Sequence, residues 1–318
     1  MWSIIILILF ILAIIGIVKF AKTYTFLFIL LLVFLISIIV IRIVLRTKKT
    51  RKIKSLYENI QDYKTTLLKE SNKTIRINMI QLLAESFNQL IALGEFVRNE
   101  IEEVHQNFLF AIIKDCTITD DEKEVLKYLE KTFCLSSENI RNNRRIAYTN
   151  VYEWAIKDRK LTENEENILR NIFLQLDIRP DDVAEEQAFL KDLSLARQLA
   201  GKELNPIETP FSLNQNEQCF FSIGDVCLYK SRKKNYEYHR DNTPVLMGKL
   251  YVTNQRIIIN APGEYNRSLI SEIDMLSIEE DSFIRLDFKR KNNIEFIKVS
   301  KPYLTKVVIV NYLNKVRS

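Results

Sequence analysis

Met247-Gly248-Lys249-Leu250-Tyr251-Val252-Thr253-Asn254-Gln255-Arg256-Ile257-Ile258-Ile259 reads as two strands joined by a tight turn. β-Branched, aromatic and aliphatic residues stand on both sides of a Thr-Asn-Gln step, whose short polar side chains favour a turn. Working outward, Phe220-Phe221 and Val226-Cys227-Leu228-Tyr229 extend the strand-rich texture upstream. Downstream come Ile270, Ile273, Leu276 and Ile278, then Phe283–Phe288, and Asn292-Asn293 predicts a hairpin tip before Ile294–Val299. Pro302 then opens a helix in which Leu304, Val307, Val308, Val310, Tyr312 and Leu313 supply an apolar face.

The phrase Gly248-x-Leu250-Tyr251-Val252-Thr253-Asn254-x-Arg256-Ile257-Ile258 resembles the signature of bacterial PH-like and GRAM-like domains. The resemblance implies that residues 218–318 form a small β-barrel capped by one helix and used to bind lipid or protein. It also draws attention to Lys230, Arg232, Lys233, Lys234 and Arg240, with His239 among them. PH-like domains that hold phosphorylated headgroups often place basic residues at the first strand–loop connection, so these five are the candidate headgroup-binding residues. Such side chains meet phosphate as charge-assisted donors. Lys289-Arg290-Lys291 is a weaker candidate of the same kind, and Glu237 and Asp241 dilute the main cluster. Asn205-Pro206-Ile207-Glu208-Thr209-Pro210 opens a linker expected over residues 205–217.

Upstream of the linker the pattern is helical. Between Gly16 and Gly201 there is one glycine, Gly94, and no proline before Pro180, a scarcity that suits helices. Ile53, Leu56, Ile60, Tyr63 and Leu67 make one apolar stripe, Ser71-Asn72-Lys73 interrupts it, and Ile80, Leu83, Phe87, Leu90 and Ile91 begin another. Residues 46–204 are expected to form an all-α bundle containing an internal repeat, over about 108–141 and 151–184. Lys114-Asp115-Cys116-Thr117-Ile118-Thr119-Asp120-Asp121-Glu122 aligns without gaps on Lys157-Asp158-Arg159-Lys160-Leu161-Thr162-Glu163-Asn164-Glu165. Thr119 with Glu122, and Thr162 with Glu165, have the spacing of capping boxes. This phrase resembles the EF-hand-like units of tellurite-resistance B-like helical domains. A calcium loop needs oxygen ligands at alternate positions, yet the corresponding positions are Ala111, Ile113, Trp154 and Ile156. The loops therefore read as structural, with no metal. Trp154, Tyr148 and Tyr152 read as packing residues of the bundle.

The N-terminus completes the architecture. Trp2–Val18 and Thr23–Ile41 carry no charge and are separated by Lys19-Phe20-Ala21-Lys22, and each is long enough as a helix to cross a hydrocarbon core of about 30 Å. Residues 1–45 are expected to be a transmembrane helical hairpin. Arg42, Arg46, Lys48, Lys49, Arg51, Lys52 and Lys54 follow with no acid before Glu58. That flank predicts two spans with both termini in the cytoplasm, and Arg46, Lys48, Lys49, Arg51, Lys52 and Lys54 are the expected contacts with the bilayer surface.

Exclusions narrow the function. The chain has 318 residues, a formal charge of +6, two histidines and four cysteines without a CxxC pair. Phosphate-loop, dinucleotide, nucleophile-elbow and zinc-protease motifs are missing from the sequence, and acid pairs such as Asp120-Asp121 and Asp181-Asp182 stand at predicted helix starts, where they complement the dipole. No catalytic residue, cofactor or nucleic-acid partner is expected. The expected function is that of an adaptor or sensor on the inner face of a bacterial plasma membrane, in contact with the lipid bilayer and with a protein partner. The alternative is a lipid-headgroup-binding accessory of a transport or envelope-maintenance system.

Overall fold

The computed structural model describes residues 11–19, 25–234, 237–241, 243–289 and 294–317. Residues 11–19 are helical (α1), and α2 then runs without a break over Thr25–Lys69, 45 residues long. It is the one helix among the described residues that is long and apolar enough to cross a membrane. The expected first span and the Lys19–Lys22 turn fall largely outside the described residues, so a two-span hairpin is not shown.

Two compact units follow from the chain's contacts, one of Met1–Ala111 with Thr119–Ser136, the other of Ile112–Ile118 with Ser137–Ser318. In the first unit the exposed apolar half of α2 gives way to a half with one buried stripe, Leu56, Ile60 and Leu67. Asn72 ends the interruption seen in the sequence by capping α3 (Lys73–Ala92), its side chain accepting the amides of Thr74 and Ile75. Ile80, Leu83, Phe87 and Leu90 of α3 are buried, with Val104, Phe108 and Leu109 of α4 (Arg98–Ile112) and Val125, Leu126 and Leu129 of α5 (Asp120–Thr132). Buried charges tie these helices together. Lys64 of α2 meets Glu100 at 2.5 Å and Glu103 at 3.6 Å on α4. Arg76 of α3 donates to Glu122 at 3.3 Å and lies over the Phe108 ring.

The second unit contains α6 (Ser137–Ala155), α7 (Glu163–Gln175), a 3-10 turn at Pro180–Val183, α8 (Ala184–Leu199), eight strands and the last helix. The strands are β1 (Cys219–Lys234), β2 (Glu237–Arg240), β3 (Leu246–Thr253), β4 (Arg256–Ala261), β5 (Glu264–Leu269), β6 (Ile273–Glu279), β7 (Phe283–Phe288) and β8 (Ile294–Lys298). All pairings are antiparallel, in the order β5-β4-β3-β1-β8-β7-β6, with β2 on the far end of β1. The helix α9 (Pro302–Arg317) lays Leu304, Val308, Ile309, Tyr312 and Leu313 onto the core face of the sheet.

Three expectations need correction. The sheet is not a closed barrel, because β5 and β6 end the hydrogen-bonded path without pairing to one another. Side chains partly bridge the curl, with Asn266 and Ser268 of β5 donating to Glu295 of β8 at 3.4 and 3.1 Å. The helical domain does not end at residue 204. Leu195, Leu199 and Leu204 pack against the core of the sheet, so α6–α8 share a unit with it while α4 and α5 belong to the other. Residues 205–217 are no slack linker either. Ile207 bridges Cys219, and Phe211 and Leu213 cover a cluster of Cys219, Tyr251 and Ile258 on the outer face.

The repeat is reproduced in backbone detail. Both capping boxes form, with Thr119 and Thr162 each at φ −74°, ψ 161° and each accepting the amide of its partner glutamate, Glu122 or Glu165. Cys116 and Arg159 take positive φ at matching positions, as do Cys134 and Asp177. Asp115 and Asp158 accept the amides of Thr117 and Lys160 within their own loops, so these acids close turns. Trp154 departs from expectation, since it is 54% exposed while Tyr148 is fully buried. The Asn292-Asn293 tip lies outside the described residues.

Candidate functional site

The signature stretch turns out to hold the fold. Thr253 and Arg256 bracket the β3–β4 turn, and the Thr253 hydroxyl accepts the amides of Gln255 and Arg256 at 3.1 and 2.7 Å. The same hydroxyl donates to Glu217 at 2.6 Å, and the Arg256 guanidinium grips both oxygens of that carboxylate. Asn254 accepts the amide of Gln218 at 3.0 Å and donates to the carbonyl of Asn216 at 3.1 Å. Burial alone would raise the Glu217 carboxyl. The bonds from Arg256 and Thr253 and from the Asn214 amide outweigh it and hold the group down at about 2. Gly248 is required for a different reason. A Cβ there would stand 2.2 Å from the carbonyl oxygen of Asn260, so only glycine lets β3 and β4 approach this closely. Gly248, Thr253, Asn254 and Arg256 thus each fasten the segment 214–218 or the β3–β4 pair.

The candidate headgroup residues are distributed along a hairpin. Lys230 is exposed and Arg232, Lys233 and Lys234 continue β1 rather than forming a loop, their backbones paired with β2. Their side chains, and that of His239, are outside the described residues. Arg240 is already engaged. Its guanidinium lies 3.5 Å from the centroid of the Phe283 ring and 5.9 Å from that of Tyr229, and it meets Glu280 at 3.1 Å. Phe283, Ile294 and Phe296 form a second buried cluster here, on the outer face of β7 and β8, with Tyr229 against it. Arg46, Lys48, Lys49, Arg51, Lys52 and Lys54 are exposed on α2, in continuous helix between the apolar segment and the buried stripe.

Two features of the second unit were not legible in the sequence. The first is a groove of about 640 Å³ between α7 and α8. Leu169, Phe173, Leu190 and Leu195 line it, and Leu174, 66% exposed, stands at its edge. Glu166 within it is bound by Ser194 and Arg197, while Arg170 and Lys191 are exposed on its rim. The second is the outward face of β3, β4 and β5, where Met247 and Tyr265 are exposed. Alternation in Glu264–Leu269 was the available signal, since Tyr265, Arg267 and Leu269 occupy every second position.

No protein-family model matches the chain, and no curated protein matches it. Among solved structures it is similar to chains described as "Vav1 inhibited by an allosteric inhibitor: Vav1 inhibitors block GEF activity" and "Apo structure of the activated truncation of Vav1". The first has 11% identity, a TM-score of 0.22 and coverage of 83% of this chain and 79% of that one. The second has 10% identity, a TM-score of 0.22 and coverage of 83% and 76%. At such TM-scores the likeness carries no argument about fold or function.

Proposed function

We propose that the chain is a membrane-anchored, cytoplasm-facing adaptor that binds a protein partner through its helical region and through residues 218–318 acting as a PH-like module. The observation that carries this reading is α2. One unbroken helix is uncharged, exposed and apolar but for Ser37 over Ile29–Ile41, bears a basic flank from Arg42 to Lys54, and buries Leu56, Ile60 and Leu67 in a folded unit. A helix of that composition loses several kcal/mol by standing in water, and a bilayer removes the cost. The basic flank favours the cytoplasmic side, which supports a reading in which the folded parts beyond Lys54 lie at the inner face of the plasma membrane, and two spans would bring the N-terminus there too. Antiparallel strand order with one C-terminal helix across the core face supports the PH-like reading of residues 218–318. The groove beside Leu174, apolar in its lining and cationic on its rim, suits a protein partner.

The test is protease accessibility of a C-terminal epitope in sealed inside-out and right-side-out membrane vesicles. The epitope is expected to be cleaved only in the inside-out preparation. Cleavage only in right-side-out vesicles reverses the orientation, and recovery of the chain in the supernatant after alkaline extraction overturns the anchor.

A further inference from the structure

We infer that the turn between α3 and α4, through Ile91 and Phe96, inserts into the interfacial layer of the bilayer that α2 crosses, as a second foot beside the anchor. The inference rests on the anchoring reading above and concerns the first unit alone. Phe96 is 74% exposed and Ile91 54%, on either side of one tight turn. That turn is ordered. Gly94 takes the left-handed φ of 82° that commonly ends a helix. The amides of Leu93, Gly94 and Glu95 bond to the carbonyls of Gln89, Ile91 and Leu90 at 3.1, 2.8 and 3.0 Å. Val97, next to Phe96, is buried, so the backbone is pinned to the bundle and holds the Phe96 ring out in solvent.

Helix registers decide which way the turn faces. Only Glu70-Ser71-Asn72 joins α2 to α3, and the two helices pack along one another, so α3 runs back towards the apolar half of α2. At about 1.5 Å per residue in both helices, Leu90 comes level with the Arg51–Ile53 stretch of α2. The contacts of Lys64 with Glu100 and Glu103 agree, since they set α4 rising again beside the buried half of α2. The helix α5 runs parallel to α3, with Lys73 against Asp121, Gln81 against Tyr128 and Phe87 against Phe133. Its last turn, where Lys131 is exposed, reaches the same end of the bundle.

That end is the one nearest the bilayer. Thr25–Leu45 makes about 30 Å of helix, the thickness of a hydrocarbon core, so Leu45 marks its edge. The α3–α4 turn stands about 10 Å beyond Leu45 along α2, and the headgroup layer spans about 5–8 Å of that distance. The Phe96 ring and the usual tilt of a spanning helix, about 20°, close the remainder. Apolar side chains on a folded element enter such a boundary while cations around them meet the phosphates. Lys48, Lys49, Arg51 and Lys52 of α2, with Lys131, supply those cations, and Glu95 is the one acid between Asn88 and Arg98. Because α2 holds the turn close to the surface, even weak insertion is populated. Two points of attachment then fix the tilt of the first unit on the membrane, which a lone helix leaves free.

Tryptophan fluorescence of the full chain, reconstituted in vesicles of phosphatidylcholine and phosphatidylserine, tests this. Trp2→Phe and Trp154→Phe first remove the native emitters, and Phe96→Trp, Ile75→Trp or Leu35→Trp then supplies a single reporter. A nitroxide label at the headgroup end of the acyl chains is expected to quench the Phe96→Trp chain by at least about twofold. The Ile75→Trp chain, whose reporter sits in the first turn of α3 at the opposite end of the bundle, should be unaffected. Adding Ile91→Glu should restore most of the Phe96→Trp emission; undiminished quenching would show a tryptophan seeking the interface by itself, and would overturn the inference. Blue-shifted emission without quenching also overturns it, since that assigns the patch to a contact between copies of the chain. The Leu35→Trp chain, read with a label deep in the acyl chains, reports the anchor separately. Quenching at 35 but not at 96 sinks this inference alone, whereas no quenching at 35 removes the anchor and this inference with it.

Discussion

Glu217 and Arg256 form a buried ion pair that joins the segment before β1 to the start of β4, with Arg256 Nε donating to the Glu217 carboxylate at 2.9 Å. Neither partner has water to fall back on, since Glu217 is fully buried and Arg256 nearly so. Removing one partner leaves the other charge in the interior, which costs roughly 3–5 kcal/mol. Arg256→Ala is therefore expected to destabilise the second unit by about that much, and Arg256→Lys to recover only part of it, because a lysine cannot form the two-pronged contact. Urea unfolding of the full chain in detergent, followed by the near-UV signal, measures both.

The same pair sets a pH dependence. The Glu217 carboxyl lies at about 2 in the folded protein against an ordinary 4.5. The unfolded chain binds this proton more readily, so the contribution is complete above pH 4.5 and lost as pH falls towards 2. Its size is on the order of 3 kcal/mol. Comparing acid unfolding of the parent with Glu217→Gln should show the parent losing stability faster across that window. Parallel curves would mean that the pair does not control acid sensitivity.

The repeat makes a paired prediction. Thr119→Ala and Thr162→Ala each remove the acceptor for one amide at a helix start, at a cost of about 0.5–2 kcal/mol. The two boxes share backbone angles and partners, yet they stand in different compact units. Hydrogen exchange should therefore show faster opening of α5 alone in the first variant and of α7 alone in the second. Spread of either effect to the other helix would contradict the division into units.

Much of this was readable in advance because it is local. The capping boxes, the Asn72 interruption, the β3–β4 turn and the Pro302 helix start depend on residues within a few positions of each other. Partner choice over long distances was not readable. The sequence of residues 205–217 looks like linker because its prolines and polar residues say nothing about Phe211 finding Tyr251. A domain boundary at residue 204 looks natural for the same reason, since Leu195 and Leu199 resemble any helix stripe until α9 is set beside them. Arg240 stands out in the sequence for its charge, and nothing nearby in sequence announces the Phe283 ring or Glu280.

Gly248 offers a sharper test of the signature than any charged residue. A methyl at this position would meet the Asn260 carbonyl at 2.2 Å, with the carbonyl carbon at 2.8 Å. Both atoms are backbone, so no side chain can swing aside and β3 must separate from β4. Gly248→Ala is expected to cost at least the 1–3 kcal/mol typical of overpacking. Gly224, with open space around its would-be Cβ, should tolerate alanine under the same thermal melt. Equal behaviour of the two variants would show that close strand approach is not the reason for glycine at 248.

Asp192 supplies the last prediction. Its carboxylate, on α8, accepts the amides of Tyr303 and Leu304 at 3.0 and 2.9 Å, which are among the donors a helix start leaves unsatisfied. The cap for α9 thus comes from a residue more than a hundred positions away, and it fixes the C-terminal helix to the α8 that packs beside it. Burial pushes the Asp192 carboxyl above its ordinary value, although the two amides pull the other way. The folded protein therefore holds this proton more tightly than the unfolded chain, and the group's contribution to stability grows as pH falls through its folded value. Two substitutions separate cap from charge. Asp192→Ala leaves two buried amides without an acceptor and is expected to cost about 1–3 kcal/mol, a loss visible as faster exchange in the first turn of α9. Asp192→Asn keeps an acceptor for one of the two amides, turns an NH2 towards the other, and removes the charge that burial penalises, so it should cost less than alanine at neutral pH without restoring the parent. An asparagine variant as damaged as the alanine one would mean that the negative charge itself holds α9 in place, through the helix dipole, and that the neutral bonds contribute little.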